Sequence, residues 1–444
     1  MSEATTKAVA GEAGETRLDR IGIPHSLRWG FLGVLIFMTG NGVESNFIAP
    51  HMSQALGAAG APLVPTIIAM YSLAVLIASY LSGALADLYG PRRVMLLGFA
   101  VWMVFEVAFL WALSIDSVAL VFASYFLRGF GFPLFAFAFL VWINAVAPRS
   151  RNGAAVGWFY VMFTGGLPTL GSLFAVIAIP LFGGGGIGEV ATMWASMGLV
   201  TLGFLIAWFG VRESTGNRRL APAGESSAEV ITSGLRLTFR EPRVALGFLV
   251  RLINTAPQFG MFVVLPAVIA DELGWGQSRW LLMTTVVYAG NILFNAAFGT
   301  LGDKWGWTRT VRWFGVVGSA LGLLAWWYVP QMVPAGSDWG YLLSVLAGTV
   351  FGIMLAGFVP MGAVMPALVP AHKGAAMAMY TTAAGGATFL GTAVVALVQP
   401  WGGNEGVVWA FIALYACAFV MLHWLKVDQS DEAEIAEARR AQAE

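Results

Sequence analysis

The chain has 444 residues, 58% of them hydrophobic and 11% charged, with a mean hydropathy of +0.76. Soluble domains are about 45–50% apolar and about 25% charged, which excludes an ordinary water-soluble enzyme. Lys and Arg balance Asp and Glu at 24 each, leaving no basic footprint for nucleic acid, and one cysteine (Cys417) with four scattered histidines (His25, His51, His372, His423) excludes a disulfide framework or a Cys/His metal cluster. The polar start, Ser2–Arg20, lies in a tail over 1–26 and leads into an apolar run longer than a signal-peptide core. A helix needs about 20 apolar residues to cross a hydrocarbon core of roughly 30 Å. Such segments follow at 27–50, 63–85, 94–113, 117–146, 154–180 and 190–211. A polar stretch over 212–242 intervenes, and they resume at 243–270, 279–301, 311–330, 339–367, 374–398 and 405–426 before a charged tail over 427–444. Strand-like alternation is absent, so an outer-membrane barrel is not expected. The pattern predicts an all-α integral membrane protein with 12 transmembrane helices in two six-helix halves, 27–211 and 243–426.

Of the 24 basic residues, 21 fall in the tails and in the loops on one side, one (Arg279) on the other side, and two (Arg128, Arg251) within spans. Positively charged loops stay cytoplasmic. The expectation is a multi-pass protein of the cell membrane with both termini in the cytoplasm.

The two halves echo each other. After the second span the chain reads Gly83-Ala-Leu85-Ala-Asp87-Leu-Tyr-Gly90-Pro-Arg-Arg93. After the eighth it reads Gly299-Thr-Leu301-Gly-Asp303-Lys-Trp-Gly306-Trp-Thr-Arg309, the same G-x-L-x-D-x-x-G-x-x-R pattern 216 residues on. A second echo, Arg151-Asn-Gly153-Ala-Ala and Lys373-Gly374-Ala-Ala, repeats at 221 residues. Parallel six-helix halves are a transporter architecture with the substrate site between them at mid-membrane. The glycines suit close helix approach, and the Asp and basic residues suit contacts that break and reform between states.

The repeated motif resembles the loop signature of the major facilitator superfamily, which implies its fold over the whole chain. More narrowly, the chain resembles the polyol permease group, the ribitol and D-arabinitol proton symporters. The likeness rests on Trp29-Gly30, Phe37-Met-Thr-Gly40-Asn-Gly-Val-Glu44, Arg128-Gly129, Arg251-Leu-Ile-Asn254-Thr255, Arg312-Trp-Phe-Gly315, Phe358-Val-Pro-Met361 and His372-Lys-Gly-Ala-Ala376. One departure bears on coupling: where the group often reads G-D-G-x-E, this chain has Asn41. If that Asp carries the proton elsewhere, coupling here is either lost or moved to Glu44.

Four ionisable residues lie well inside spans: Glu44, Glu106, Arg128 and Arg251. Arg128 sits roughly 16 Å and Arg251 roughly 12 Å from the starts of their helices, at 1.5 Å per residue. Unpaired, each costs about 2.5–3.5 kcal/mol on insertion scales, so pairing or function is expected. Glu106 stands on the third span, which the resemblance places peripherally. Asn41, Glu44 and Ser45 are spaced for one face of the first span, and Arg251, Asn254, Thr255 and Gln258 for one face of the seventh. Asn291 and Asn295 share a face of the eighth. These polar stripes are expected to face the bundle interior or a wet cavity.

Amides and hydroxyls donate and accept together, which suits the hydroxyls of a sugar alcohol, and charged groups strengthen such bonds. Trp158, Tyr160, Tyr288 and Tyr380 are candidates to cover its C–H faces. The expected binding set is Asn41, Glu44, Arg128, Arg251, Asn254, Thr255, Gln258, Asn291, Asn295 and Tyr380, with Glu44 and Glu106 carrying the proton. The expected switch residues are Gly83, Asp87, Gly90, Arg93, Gly299, Asp303, Gly306 and Arg309. No G-x-x-x-x-G-K-[ST] loop occurs, so secondary transport is the expected driving scheme. Gly183, Gly185 and Gly188 match G-x-G-x-x-G outside any strand-turn-helix context and carry no cofactor expectation. The reading is therefore a monomeric facilitator, without cofactor or metal, that imports a linear polyol with a proton across the bilayer. The rival is uptake of an organic anion such as 2-oxoglutarate, clamped by Arg128 and Arg251.

Overall fold

The structure, a computed structural model, describes residues 16–429 apart from Asn46, Pro222, Ala223 and Glu225. Most of the N-terminal tail and the charged end over 430–444 lie outside the described residues. Among the described residues the secondary structure is helical, with no strand.

Among the described residues ten helices are long and apolar enough to cross a membrane, and the ends of the chain are consistent with the two further passes expected. The first pass is interrupted. Helix α1 (Arg28–Gly42) stops, and α2 (Ile48–Ala55) restarts after a turn. That restart places Pro50, which has no N–H to donate, in a first helical turn where none is required. Glu44 lies in the interruption, where its carbonyl accepts the N–H groups of Phe47 (3.0 Å) and Ile48 (2.9 Å). The uninterrupted helix expected over 27–50 is therefore corrected, and Asn41 and Glu44 share a locale without sharing one regular helix. At the other end, α13 (Lys373–Met421) runs 49 residues, more than twice a single crossing. It breaks at Gly403, whose φ of 65° lies in the left-handed region, between the spans expected at 374–398 and 405–426.

Between these, the first half contains α3 (Ala61–Tyr89), α4 (Pro91–Ser114), α5 (Val118–Val146), α6 (Arg149–Leu181) and α7 (Gly185–Gly210). A shorter helix, α8 (Ser227–Arg240), occupies the polar connection. The second half continues with α9 (Pro242–Pro266), α10 (Gly276–Trp305), α11 (Trp307–Met332) and α12 (Asp338–Leu368). Within the halves α1 packs on α7, and α9 on α13. The halves meet along two seams, α6 against α10 and α3 against α13.

The connection before α8 is anchored by Glu213, which accepts from Trp142 Nε1 (2.7 Å) and from the Thr215 backbone N–H and hydroxyl. Partial burial opposes its ionisation, but these donors outweigh it and hold the carboxyl below its ordinary range. Helix α8 was not expected from composition. Its start is nonetheless written in the sequence as a capping box: Ser226 accepts from Glu229 N (3.3 Å) and Glu229 accepts from Ser226 N (2.7 Å).

Candidate functional site

In the first half the chain gathers three of the four membrane-embedded charges. Arg128 ends the first stretch of α5 (Val118–Arg128) and is buried. Its Nη1 donates to Glu44 Oε2 at 2.7 Å and to Glu106 Oε2 at 2.5 Å, and its Nη2 donates to Glu44 Oε1. One guanidinium thus bridges two carboxylates, with a two-pronged grip on Glu44 that fixes geometry as well as charge. Glu106 is 1% exposed and fully enclosed with its partner, so the third span reaches the interior here.

Aromatic groups complete the cluster. Tyr125 donates its hydroxyl to Glu44 Oε1 at 3.0 Å, and Trp102 donates Nε1 to Asn41 Oδ1 at 2.7 Å. The guanidinium carbon lies 4.9 Å from the Tyr125 ring centre, 5.4 Å from Trp102, 5.6 Å from Tyr71 and 5.7 Å from Phe109. These ring faces lower the cost of a buried cation. With both acids ionised the set carries one net negative charge; with one extra proton it is neutral.

The second half holds a different arrangement. Arg251, on α9, is 3% exposed and donates Nη1 to the Thr255 hydroxyl one turn on. Its guanidinium carbon lies 4.1 Å from the Phe358 ring centre and 5.3 Å from that of Tyr380. Tyr380 on α13 shares a 2.8 Å hydrogen bond with Tyr160 on α6, so this cluster spans both halves. Both hydroxyls also interact with the guanidinium. Among the described residues no carboxylate pairs with Arg251, and its Nε has no hydrogen-bond partner. Thr255 and Tyr380 therefore join Arg251 as the sequence suggested. Tyr160, a sequence candidate for covering substrate C–H faces, lies in this cluster as well. Phe358 was not singled out as a candidate; aromatic character, which many residues here share, was its main signal.

The remaining candidates are spread out. Asn254 is fully buried and donates to the Gly315 carbonyl of α11, so it ties two helices of one half rather than joining Arg251 directly. Gln258 donates to the Tyr288 hydroxyl at 2.6 Å. Asn291 donates to the Gly352 carbonyl at 2.8 Å, and Asn295 donates to Thr164 of α6 at 3.2 Å across the seam. Trp158 is tied to the Ile21 carbonyl at 2.8 Å, near the N-terminal segment.

The two sequence echoes meet crosswise. Asp303 of the second motif accepts from the backbone N–H of Gly153 (3.0 Å) and Ala154 (2.8 Å), and from Trp307 Nε1 (2.7 Å). It thereby satisfies free donors at the start of the helical stretch Asn152–Thr164, where negative charge is favoured. Asp87 of the first motif lies close against Gly374 at the start of α13. A Cβ on Gly374 would stand 1.7 Å from its Oδ2. Gly83 and Gly299 bring the backbones together: a Cβ on Gly83 would stand 2.7 Å from Ala378 Cα, and one on Gly299 would stand 2.4 Å from the Gly153 carbonyl. Gly90 and Gly306 turn the chain at φ of 86° and 113°. Arg93 and Arg309 are exposed, and Arg309 lies over the Trp305 ring at 5.5 Å. Among the described residues there is no group of three or more His, Cys, Asp or Glu side chains suited to hold a metal ion.

The model of the Major Facilitator Superfamily matches residues 30–278 and 247–444. An alpha-ketoglutarate permease of Bacillus subtilis (strain 168) is 34% identical over 413 residues, 93% of this chain and 92% of the relative. A D-arabinitol transporter of Klebsiella pneumoniae is 34% identical over 412 residues, 92% of this chain and 94% of the relative. A ribitol transporter of the same organism is 34% identical over 411 residues, 92% and 93% of the two chains. Among solved structures, a proton:xylose symporter superposes with a TM-score of 0.70 at 16% identity, over 92% of this chain and 98% of that one.

Proposed function

The chain belongs to the Major Facilitator Superfamily, and from that premise we propose that it imports a linear sugar alcohol, ribitol, D-arabinitol or a similar polyol, together with a proton. The observation that carries the coupling is the single Arg128 guanidinium held by both Glu44 and Glu106. Two buried acids on one base balance in charge when they hold one further proton, and a proton that leaves the set changes the cost of burying it. Asn41 retains a neutral hydrogen bond to Trp102, so coupling rests on Glu44 and Glu106. In this reading polyol hydroxyls bind at the Arg251, Thr255, Tyr160 and Tyr380 cluster, which touches both halves and can transmit occupancy to their seam.

The protein is a multi-pass membrane transporter. We place it in the cell membrane as a monomer, with both termini and the crossed Asp contacts on the cytoplasmic side. Release of substrate then requires Asp303 to part from Gly153 and Asp87 from Gly374, while the opposite end closes. Turnover involves no catalytic residue, cofactor or metal.

One observation favours a second reading. Arg251 is buried with no carboxylate partner among the described residues, and a substrate carboxylate would supply one. An organic anion such as 2-oxoglutarate fits that feature, in keeping with the first relative above. Competition separates the two: uptake of labelled D-arabinitol blocked by polyols but untouched by 2-oxoglutarate upholds the polyol reading, and the reverse pattern establishes the anion reading.

A further inference from the structure

Helix α8 carries a surface that transport does not use. Its inner face buries Val230, Gly234 and Leu237. The Tyr80 hydroxyl of α3 donates to the Ile231 carbonyl at 2.5 Å, and Gly234 sits against both the Tyr80 ring and the Ala375 carbonyl of α13. One side of α8 therefore lies across the α3–α13 seam and touches both halves.

The outer side is arranged differently. Leu235 is 52% and Phe239 88% exposed, four residues apart on one stripe. Arg236 and Arg240 are exposed at i and i+4 on the neighbouring stripe, and Arg243, also exposed, follows Glu241 in the first turn of α9. The acids nearby are Glu229, engaged in the cap at the far end, and Glu241. A groove of about 470 Å³ runs alongside, bordered by Ser233, Arg236, Arg240 and Glu241 and by His372 at the foot of α13. Only Glu241 separates α8 from the membrane-crossing α9, so the helix lies at the edge of the bilayer.

We propose that the outer face of α8 and the adjoining first turn of α9 bind anionic phospholipid headgroups, with Arg236, Arg240 and Arg243 on the phosphates and Leu235 and Phe239 seated at the acyl boundary. An apolar stripe flanked by arginines is the pattern of a helix lying in the interface plane. Basic residues next to a membrane span are drawn to a negatively charged leaflet. Guanidinium groups add two-pronged bonds to phosphate, which a neutral headgroup offset by its own ammonium offers less strongly. Because the inner face grips both halves, lipid bound outside braces the seam in its closed arrangement.

The test compares thermal unfolding of the full chain in nanodiscs of phosphatidylcholine with and without phosphatidylglycerol. Wild type is expected to unfold at a higher temperature in the anionic discs, and R236Q/R240Q/R243Q to lose at least half of that shift while matching wild type in neutral discs. Phe239→Ser is expected to reduce the shift with the charges intact. If the triple variant does not fold, salt on wild type decides: roughly 0.5 M NaCl should remove most of the shift, since exposed charges are screened at that strength. A shift equal in wild type and triple variant, or one insensitive to salt, overturns the proposal.

Discussion

Asp303 accepts a hydrogen bond from the backbone N–H of Gly153 at 3.0 Å, across the boundary between the two halves. In the mirror position Asp87 lies close against Gly374. Each half therefore supplies the carboxylate for one seam and the helix start for the other. Such an arrangement favours opening both contacts together, as a rocking motion of two bodies requires.

Asp303→Asn keeps the side chain's shape but removes its charge and one acceptor. Hydrogen bonds to a charged group contribute about 1.5–3 kcal/mol, so the closed end should lose about 10- to 100-fold in population. A reporter cysteine at Ala363, which is buried on α12 and lines a small cavity with Asn152 and Trp307 beside the Asp303 contact, should then react with a thiol reagent at least tenfold faster in a Cys417→Ser background. An unchanged labelling rate would detach Asp303 from gating.

Gly374→Ala places a methyl group where the Asp87 carboxylate stands, at 1.7 Å from Oδ2. Overpacking of this kind costs typically about 1–3 kcal/mol, here charged against one conformation. Uptake should fall sharply, and the double variant Gly374→Ala/Asp87→Ala should regain closure more readily than Gly374→Ala alone, as read by the same cysteine. Wild-type uptake by Gly374→Ala would show that the close approach is dispensable.

Glu44→Gln leaves Arg128 balanced by Glu106 without a bound proton. Gradient-driven accumulation should disappear while downhill exchange of labelled and unlabelled substrate persists within several-fold of wild type. Arg128→Met leaves two carboxylates buried against each other. Removing one partner of a buried set costs about 3–5 kcal/mol, so its unfolding temperature should drop further than that of Glu106→Gln. Accumulation by Glu44→Gln that remains pH-driven would remove Glu44 from the coupling step.

Arg251→Gln separates the substrate classes. For a neutral polyol the loss of charge should raise KM several-fold and leave a measurable maximal rate. For a dicarboxylate it should abolish uptake, because the buried cation is then the principal attraction.

Much of this was legible in the chain, for reasons particular residues make plain. Apolar runs fixed the membrane passes because hydrocarbon tolerates no unsatisfied backbone. The paired G-x-L-x-D-x-x-G-x-x-R motifs contain both carboxylates that lie at the seams, and the second echo contains Gly153 and Gly374, which they meet. What spacing did not reveal was that the echoes meet crosswise, since that depends on how two halves dock. Helical periodicity placed Asn41 and Glu44 on one face, but the chain leaves the helix after Gly42. It also grouped Asn254 with Arg251, whereas the amide turns to the Gly315 carbonyl. Tyr160 was a candidate for its ring, but its hydroxyl contact with Tyr380, 220 residues away, depends on how the halves dock.

The most direct test is uptake of labelled ribitol and D-arabinitol into proteoliposomes under an inward proton gradient. Polyol accumulation that collapses with a protonophore, and that unlabelled polyols compete but 2-oxoglutarate does not, is the predicted result. No polyol uptake alongside proton-driven movement of 2-oxoglutarate would contradict the account and make Arg251 the heart of an anion site.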